Sequence, residues 1–228
     1  MKLFISLFLC CIIFAFAYEL DDLPYEIDAL EPYYPGHVIE VHRRHHVGYC
    51  KKSTAALVGT ALEGFPIEYV ISHLEELPVE KRQILKNVGG GLANHTFFWQ
   101  CLSPNMGQRP KGKLLNQIEL DFGSFESFWG EFSSSLSSLF GSGWTWLVYN
   151  TIEHNLEIMN TANQDSPINN PALGLVPILN VDGWEHAWYL YCENNKGLYI
   201  ETIERVLNWE FAGNNFEMVI SVDAKDDL

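Results

Sequence analysis

The sequence contains 228 residues with a formal net charge of −15, an acidic balance that disfavours binding to nucleic acid or to anionic membranes. Seven Trp, ten Tyr and fourteen Phe can fill a substantial apolar core, and the length suits one large or two small domains. We therefore expect a globular protein whose partners are neither nucleic acid nor membrane.

The N-terminus has the pattern of a secretory signal peptide. Lys2 precedes an almost wholly apolar run over residues 3–14, and residues 15–17 (AFA) form a small-residue cleavage site. The apolar run is too short for a comfortable membrane span. We therefore predict that residues 1–17 are removed and that the mature chain is secreted, with no membrane segment.

The C-terminus is predicted to be an acidic, frayed tail over residues 213–228. Its last four residues, Lys225-Asp226-Asp227-Leu228, are similar to the Lys-Asp-Glu-Leu retention signal without matching it. Retention in the ER lumen is therefore an alternative to secretion. After removal of the leader, Cys50, Cys101 and Cys192 remain, and we expect core thiols because an odd, widely spaced set fits neither a disulfide framework nor a zinc site.

Helix-like apolar spacing dominates the chain up to residue 140. It predicts helices over residues 37–57, 67–77, 79–88, 92–102 and 113–122, and Ser124 is placed to cap another helix that ends near Phe140. Between two of these helices, residues 89–91 (GGG) mark an interruption.

After residue 143 the apolar period becomes that of strands. Strands are predicted over residues 144–149, 156–160 and 174–181, followed by a closing helix over residues 200–209. Helices followed by a small sheet indicate an α+β fold. We expect an N-terminal helical hairpin over residues 18–105 and a mixed α/β lobe with a three-stranded antiparallel sheet over residues 106–212.

Asp182 and His186 give the first indication of a metal site. They stand about one helical turn apart, so a turning backbone would point both side chains to one side. The spacing alone is a weak signal, because a surface carboxylate and a hydrogen-bonded histidine can share it. His95, on an otherwise apolar helix, and His42, which opens residues 42–46 (HRRHH), are further candidates. Three imidazoles and one carboxylate suit manganese or iron with an open position for substrate.

Several stretches together resemble the iron/manganese superoxide dismutases. They are residues 23–25 (LPY), 29–32 (ALEP), 94–99 (NHTFFW), 140–146 (FGSGWTW), 182–187 (DGWEHA) and 208–210 (NWE). The resemblance extends in order over about residues 20–212. It implies conversion of superoxide to dioxygen and hydrogen peroxide, one manganese or iron ion per chain, and a homodimer or homotetramer.

The resemblance also implies roles for individual residues. The metal ligands would be His42, His95, Asp182 and His186. The walls of the metal pocket would be Trp144 and Trp184, and the residues that reach across the dimer interface would be Glu185 and Tyr189.

The type of metal is indicated by three features. Gln164 matches the amide of manganese-type enzymes, and Gly91 fits the same metal, since similar iron types often carry Gln there. Residues 59–64 (GTALEG) look more like iron-type sequences. Manganese is favoured and iron stays open.

One departure concerns the residues that gate the metal pocket. The family places a gate histidine four residues after the first ligand and a gate tyrosine four further on. Counting forward from His42 gives His46 and Cys50, whereas counting backward from residues 59–61 gives His45 and Tyr49. One missing residue rotates a regular helix by about 100°, unless a bulge absorbs it. We favour His45 and Tyr49, because a phenol can relay a proton.

A second departure is the acidic surface, since superoxide is an anion and steering requires a local basic patch. The candidates are Arg43, Arg44 and Lys196, the last standing where the family usually has Arg.

One alternative function is a catalytically silent secreted relative that keeps the fold and the dimer as a binding module. Another is a metal-dependent hydrolase, for which only Glu185 is available as a general base. Asn94-His95-Thr96 is also an N-glycosylation pattern. Because it includes His95, a glycan attached to Asn94 would contradict the metal site.

Overall fold

The computed structural model describes residues 17–226 and begins with a helical hairpin. The elements of the hairpin are α1 (Gly36–Leu57), α2 (Ile67–Ser72), a 3-10 turn (Leu74–Glu76) and α3 (Val79–Gln100). The apolar sides of α1, α2 and α3 meet in a small core that includes Leu57, Val70 and Leu85. The helix predicted over residues 67–77 is therefore divided into α2 and the 3-10 turn.

The glycine run 89–91 lies inside α3 and does not interrupt it, so the prediction of two separate helices is wrong. A Cβ on Gly90 would stand 2.1 Å from the backbone oxygen of Gln164, and one on Gly91 would stand 2.6 Å from the Tyr49 ring. Glycine is therefore present because other parts of the chain approach α3 closely. Tertiary packing holds the helix together despite the low helix propensity of glycine.

The second part of the chain is a mixed α/β lobe. Its regular elements are α4 (Gly112–Phe122), α5 (Phe125–Ser138), β1 (Gly143–Asn150), β2 (Asn155–Ala162), β3 (Leu175–Asp182), α6 (Tyr189–Cys192), α7 (Lys196–Val206) and α8 (Trp209–Asp226). As predicted, Ser124 caps α5, and its hydroxyl accepts a hydrogen bond from the Ser127 N–H at 3.0 Å. The hairpin and this lobe confirm the predicted α+β architecture.

As predicted, the three strands form one antiparallel sheet. Their order in the sheet is β2-β1-β3. Trp144 at the start of β1 pairs with Asp182 at the end of β3. Pro177 lies in β3, where the ladder shifts register between Leu147 and Val148 of β1. An edge strand with a bulge tolerates the missing N–H of proline. The sheet thus places Asp182 at one of its buried corners.

The C-terminal region differs from the predicted tail, because α8 continues to Asp226. The helix is retained because it buries an apolar face: Phe216 is 2% exposed, and the Asn215 amide donates to the Ile178 backbone oxygen at 3.2 Å. The single closing helix predicted over residues 200–209 is likewise two helices, α7 and α8. Asp227 and Leu228 of the proposed retention signal lie outside the described residues.

Among the described residues, no helix combines the length and the apolarity that crossing a membrane requires. Cys50, Cys101 and Cys192 are free and buried, which confirms that they are core thiols. The predicted signal peptide, apart from its last residue, lies outside residues 17–226.

Candidate metal centre

Four side chains from the two parts of the chain converge at one buried point. They are His42 from α1, His95 from α3, Asp182 from the end of β3 and His186 from the 3-10 turn Glu185–Ala187. One ligand atom from each lies within 4.8 Å of the others. The sequence-predicted ligand set is therefore brought together by the fold.

The Asp182 carboxylate is at the centre of this cluster. Its Oδ2 lies 3.0 Å from His42 Nε2, 3.2 Å from His186 Nε2 and 3.6 Å from His95 Nε2. Its Oδ1 accepts a hydrogen bond from the Trp184 N–H at 2.8 Å. All three imidazoles therefore direct the same ring nitrogen toward one carboxylate oxygen, which is an arrangement that a single cation would stabilise.

His95 gives the sharpest test of whether a metal ion fits. Its Nδ1 lies 2.7 Å from the Gly91 backbone oxygen, so Nδ1 carries the proton and Nε2 has a free lone pair. That Nε2 is fully buried and has no hydrogen-bond partner in the part of the chain that the structure describes. A buried nitrogen lone pair without a partner is unfavourable, and a metal ion would satisfy it. The residues present fit a mononuclear metal site.

Charge and burial prepare the four side chains for a metal. Burial alone would raise the pKa of Asp182, but the charge of His186 and hydrogen bonds from His186 and His42 outweigh it and lower the pKa. Burial lowers the pKa of His42 to about 4, against the opposing effect of Asp182, and lowers that of His95 further. Ionised carboxylate and neutral imidazole are the forms that bind metal.

Two tyrosines that the sequence did not single out hold this cluster in place. The Tyr34 hydroxyl donates to the Ala187 backbone oxygen at 2.7 Å, so its oxygen can accept from His42 Nδ1 at 3.4 Å. The Tyr199 hydroxyl donates to the Asp182 backbone oxygen at 2.7 Å. Both contacts join distant parts of the chain, and no local sequence pattern indicates them.

A directed chain of hydrogen bonds leads from the pocket wall to Tyr49. The Trp144 Nε1–H donates to Gln164 Oε1 at 3.0 Å, and Gln164 Nε2 donates to the Tyr49 hydroxyl oxygen at 3.1 Å. The Tyr49 ring centroid lies 5.4 Å from that of His95. Because Tyr49 accepts from Gln164, its own proton is free to be donated elsewhere. Trp184 forms a second wall, since its ring stacks with His186 at 5.6 Å.

His45 and Tyr49, the pair that we favoured from the sequence as gate residues, both lie beside the cluster. His45 is exposed and stacks on His186 with ring centroids 4.3 Å apart. His46 is buried and also stacks on His95, with ring centroids 5.5 Å apart, but its nitrogens contact Arg43, Trp99 and Thr96. Cys50 donates to the Tyr18 backbone oxygen at 3.2 Å. The helix α1 is uninterrupted, so both residues reach the cluster on a regular helix.

A surface depression of about 300 Å³, which we call the mouth, lies on α1 beside His45 and Tyr49. Its lining consists of Val41, Arg44, His45, Gly48, Tyr49 and Lys52. Lys52 was not among the residues predicted to attract superoxide. The sequence alone does not show that Lys52 lies beside His45 and Tyr49 on the surface of α1. Lys196 is half-buried; burial lowers its pKa, and the Asp182 charge acts in the opposite direction.

Arg43 does not line this mouth, and its role in anion steering stays a prediction. Its guanidinium donates to the Asp21 backbone oxygen and, at 2.9 Å, to His46 Nδ1. Arg43 and Arg44 are adjacent in the sequence, and the helical step of about 100° between them turns the Arg43 side chain away from the mouth.

The predicted interface residues are on the surface of the single chain. Glu185 is exposed, and Tyr189 is 50% exposed.

The asparagine of the glycosylation pattern is buried. Asn94 is 1% exposed, and its amide donates to the Gln164 backbone oxygen at 3.2 Å. A glycan on Asn94 is therefore incompatible with the folded chain.

Comparison with known proteins agrees with this geometry. Residues 17–103 match the model of the iron/manganese superoxide dismutase alpha-hairpin domain, and residues 110–215 match the model of the C-terminal domain of the same family. Proteins named "Superoxide dismutase [Mn]" from Listeria innocua, Listeria monocytogenes and Listeria ivanovii are each 44% identical to the chain over 202 residues. These alignments cover 88% of this chain and 98% of each relative. With two matching domains in order and a convergent three-histidine, one-aspartate cluster, the chain belongs to the iron/manganese superoxide dismutase family.

Proposed function

We propose that the protein converts superoxide to dioxygen and hydrogen peroxide at a mononuclear metal held by His42, His95, Asp182 and His186. The observation that carries this proposal is the unpartnered, fully buried Nε2 of His95 beside the Asp182 carboxylate. Family membership and the three relatives named "Superoxide dismutase [Mn]" support it.

When bound, the ion would supply the redox chemistry, taking one electron from a first superoxide and returning it to a second. The chain must then provide two protons to the reduced product. Tyr49 is suited to this step, because Gln164 donates to its oxygen and leaves its proton available. Burial raises the pKa of Tyr49, the hydrogen bond from Gln164 opposes that shift, and the phenol stays protonated at neutral pH.

The alternatives predict different side chains at the site. A hydrolase needs a carboxylate base beside the metal, but the cluster contains only Asp182, whose Oδ2 faces three imidazoles. A catalytically silent relative would have no need of a phenol held beside the cluster, whereas here Trp144 holds Gln164 and Gln164 holds the Tyr49 hydroxyl. Both observations favour the dismutase.

We propose manganese as the metal. Gly91 supports this choice, because similar iron-type sequences often carry Gln there, and a Cβ at this position would stand 2.6 Å from the Tyr49 ring. Gln164 supplies the amide that the manganese-type resemblance implies. Iron remains the alternative, and metal analysis of the purified protein separates the two.

The decisive experiment combines metal analysis with a superoxide-decay assay. We expect close to one manganese per chain and rapid decay, and loss of both in Asp182→Ala. A folded protein that binds tight zinc without a redox metal would contradict the proposal. Stoichiometric manganese without superoxide decay would identify the silent relative instead.

We further propose a homodimer formed by the surface around Glu185. Near it the chain exposes Tyr189 and Leu190 by about half, and the adjoining loop exposes Phe140 completely. Gly183 joins this turn to that loop through a hydrogen bond to Gly143 of 2.9 Å. Light scattering should show a smaller mass for Glu185→Ala and unchanged mass for the exposed control Glu201→Ala. Equal masses in the two variants would contradict this interface.

Secretion is our proposal for the location, with the ER lumen as the alternative. It rests on the charged, apolar and A-x-A pattern of residues 1–17. N-terminal sequencing of protein from the culture medium should begin at Tyr18. An intracellular product that retains Met1 would overturn the proposal.

A further inference from the structure

The Gln164 amide, which reaches the Tyr49 hydroxyl at 3.1 Å, is carried by a loop rather than by a helix or strand. This loop, residues 163–166, follows β2 and lies directly against α3. A Cβ on Gly90 of α3 would stand 2.1 Å from the Gln164 backbone oxygen. Because loops are more mobile than the elements that they join, the contacts that hold this one decide how well the amide meets the phenol.

The buried side chain of Asn94, on α3, makes such contacts. Its Nδ2 donates to the backbone oxygens of Gln164 at 3.2 Å and Asp165 at 3.4 Å. Asn94 is only 1% exposed, so bulk water is not at hand to replace these two bonds. The Asp165 oxygen also accepts from the Thr161 hydroxyl at 2.7 Å. One amide on α3 therefore holds two consecutive carbonyls of the loop.

Asn94 is itself tied to the sheet by Asn180 of β3. The fully buried Asn180 donates from Nδ2 to the Asn94 backbone oxygen at 3.1 Å. His95 directly follows Asn94, and Asp182 comes two residues after Asn180. The two amides thus connect the helix and the strand that supply His95 and Asp182 to the loop that carries Gln164.

Stability alone does not explain this pair of amides. The Oδ1 atoms of Asn94 and Asn180 are both buried and have no hydrogen-bond partner among residues 17–226. A buried acceptor without a donor is unfavourable, and such atoms are few in folded proteins. What the two side chains contribute therefore lies on their Nδ2 side, in the backbone groups that these nitrogens hold.

We propose that Asn94, held by Asn180, is a positioning residue for proton delivery, because it fixes the loop that presents the Gln164 amide to Tyr49. This inference rests on the proposed function, since Tyr49 is the proton donor in both. Asn94 itself touches neither superoxide nor the metal. Loosening the loop should therefore slow the delivery of protons without slowing the earlier encounter of superoxide with the site.

The test compares Asn94→Leu, which keeps a similar size but has no donor, with Asn215→Leu. The control loses a bond of the same kind, because Asn215 Nδ2 on α8 donates to the Ile178 backbone oxygen at 3.2 Å. With rates expressed per bound metal, we expect kcat to fall about fivefold in Asn94→Leu and kcat/KM to stay unchanged. Both constants should stay unchanged in the control. A merely structural role would lower both constants together or neither, and either result would overturn the proposal.

A double variant shows whether Asn94 acts through Gln164. In the Gln164→Ala background, Asn94→Leu should cause no further fall in kcat, because the amide that it positions is gone. A further fall of the same size would contradict the proposal. If Asn94→Leu does not fold, Asn94→Ser takes its place in each comparison.

Hydrogen–deuterium exchange gives a readout that does not depend on activity. Mass spectrometry should show faster backbone exchange in peptides that span residues 162–166 of Asn94→Leu, and unchanged exchange there in Asn215→Leu. Equal exchange in the two variants would mean that Asn94 does not hold the loop. Normal superoxide decay by the wild-type protein with an unchanged kcat in Asn94→Leu would overturn this inference alone. Absence of decay by the metal-loaded wild-type protein would overturn the proposed function and this inference with it.

Discussion

Two adjoining sides of α1 carry similar types of residue but make different contacts. One side, which we call the cluster side, carries His42, His45 and Tyr49. The other, the lead-in side, carries Arg43, His46 and Cys50, each directly after a cluster-side residue in the sequence.

The buried histidines His42 and His46 show how much one helical turn changes the role of a residue. His42 directs Nε2 at Asp182 Oδ2 over 3.0 Å. His46 accepts at Nδ1 from Arg43 at 2.9 Å and from Trp99 at 3.1 Å, and its Nε2 lies 3.1 Å from the Thr96 hydroxyl. Burial and then the Arg43 charge lower the pKa of His46 to about 3, so it stays neutral. Residue type indicates a site, but the partners around each side chain decide which residue belongs to it.

Removing each of these two histidines should produce the largest contrast. His42→Ala removes a metal ligand, so we expect loss of bound metal and of superoxide decay. His46→Ala should keep the metal but lower the free energy of unfolding by about 3 kcal/mol, because Arg43 and Trp99 lose their acceptor. Metal analysis and urea unfolding measure the two effects. Metal loss of equal extent in both variants would remove the distinction between the two sides.

The glycines that flank the Tyr49 ring offer a second contrast. A Cβ at Gly91 would stand 2.6 Å from that ring, whereas a Cβ at Gly48 meets nothing within 4 Å. Gly91→Ala should displace the phenol and slow superoxide turnover about tenfold or more, with metal retained. Gly48→Ala should leave activity unchanged and stabilise α1 by about 0.5–1 kcal/mol. Full activity in Gly91→Ala would show that the position of the phenol is unimportant.

The gate itself is tested by Tyr49→Phe against Cys50→Ser. Loss of the phenol should slow the proton-dependent half-reaction about tenfold, with unchanged metal content, because Tyr49 is not a ligand. Cys50→Ser keeps a donor toward the Tyr18 backbone oxygen and should cost about 1 kcal/mol of stability or less, with normal activity. Normal turnover in Tyr49→Phe together with a damaged Cys50→Ser would reverse our choice of frame.

The smallest expected effect concerns two exposed lysines of α1, Lys51 and Lys52. Lys52 lines the mouth, whereas Lys51, also exposed, does not. Lys52→Glu should slow superoxide decay about two- to fivefold at low ionic strength, and salt should abolish the difference. Stopped-flow rates at several salt concentrations, with Lys51→Glu as the control, measure it. Identical salt dependence of the two variants would exclude steering by Lys52.

Much of this molecule could be predicted from its sequence. The strands followed from a period of two, and the four clustered residues followed from spacing and family resemblance, because both signals are local. The continuity of α3 could not be predicted, since glycine lowers helix propensity and only contacts with Gln164 and Tyr49 explain its presence. The same limit applies to Tyr34 and Tyr199, whose partners are far away in the chain.

The buried amide of Asn94 sets up a competition in time. If the chain enters the secretory pathway, as we propose, Asn94-His95-Thr96 is open to glycosylation before α3 docks; afterwards the Asn94 amide nitrogen is occupied by the Gln164 and Asp165 carbonyls. A chain that acquires the sugar cannot close over His95. In a cell that glycosylates this protein, the fraction of molecules that carry the added mass of a glycan therefore measures how many folded too slowly to bury Asn94.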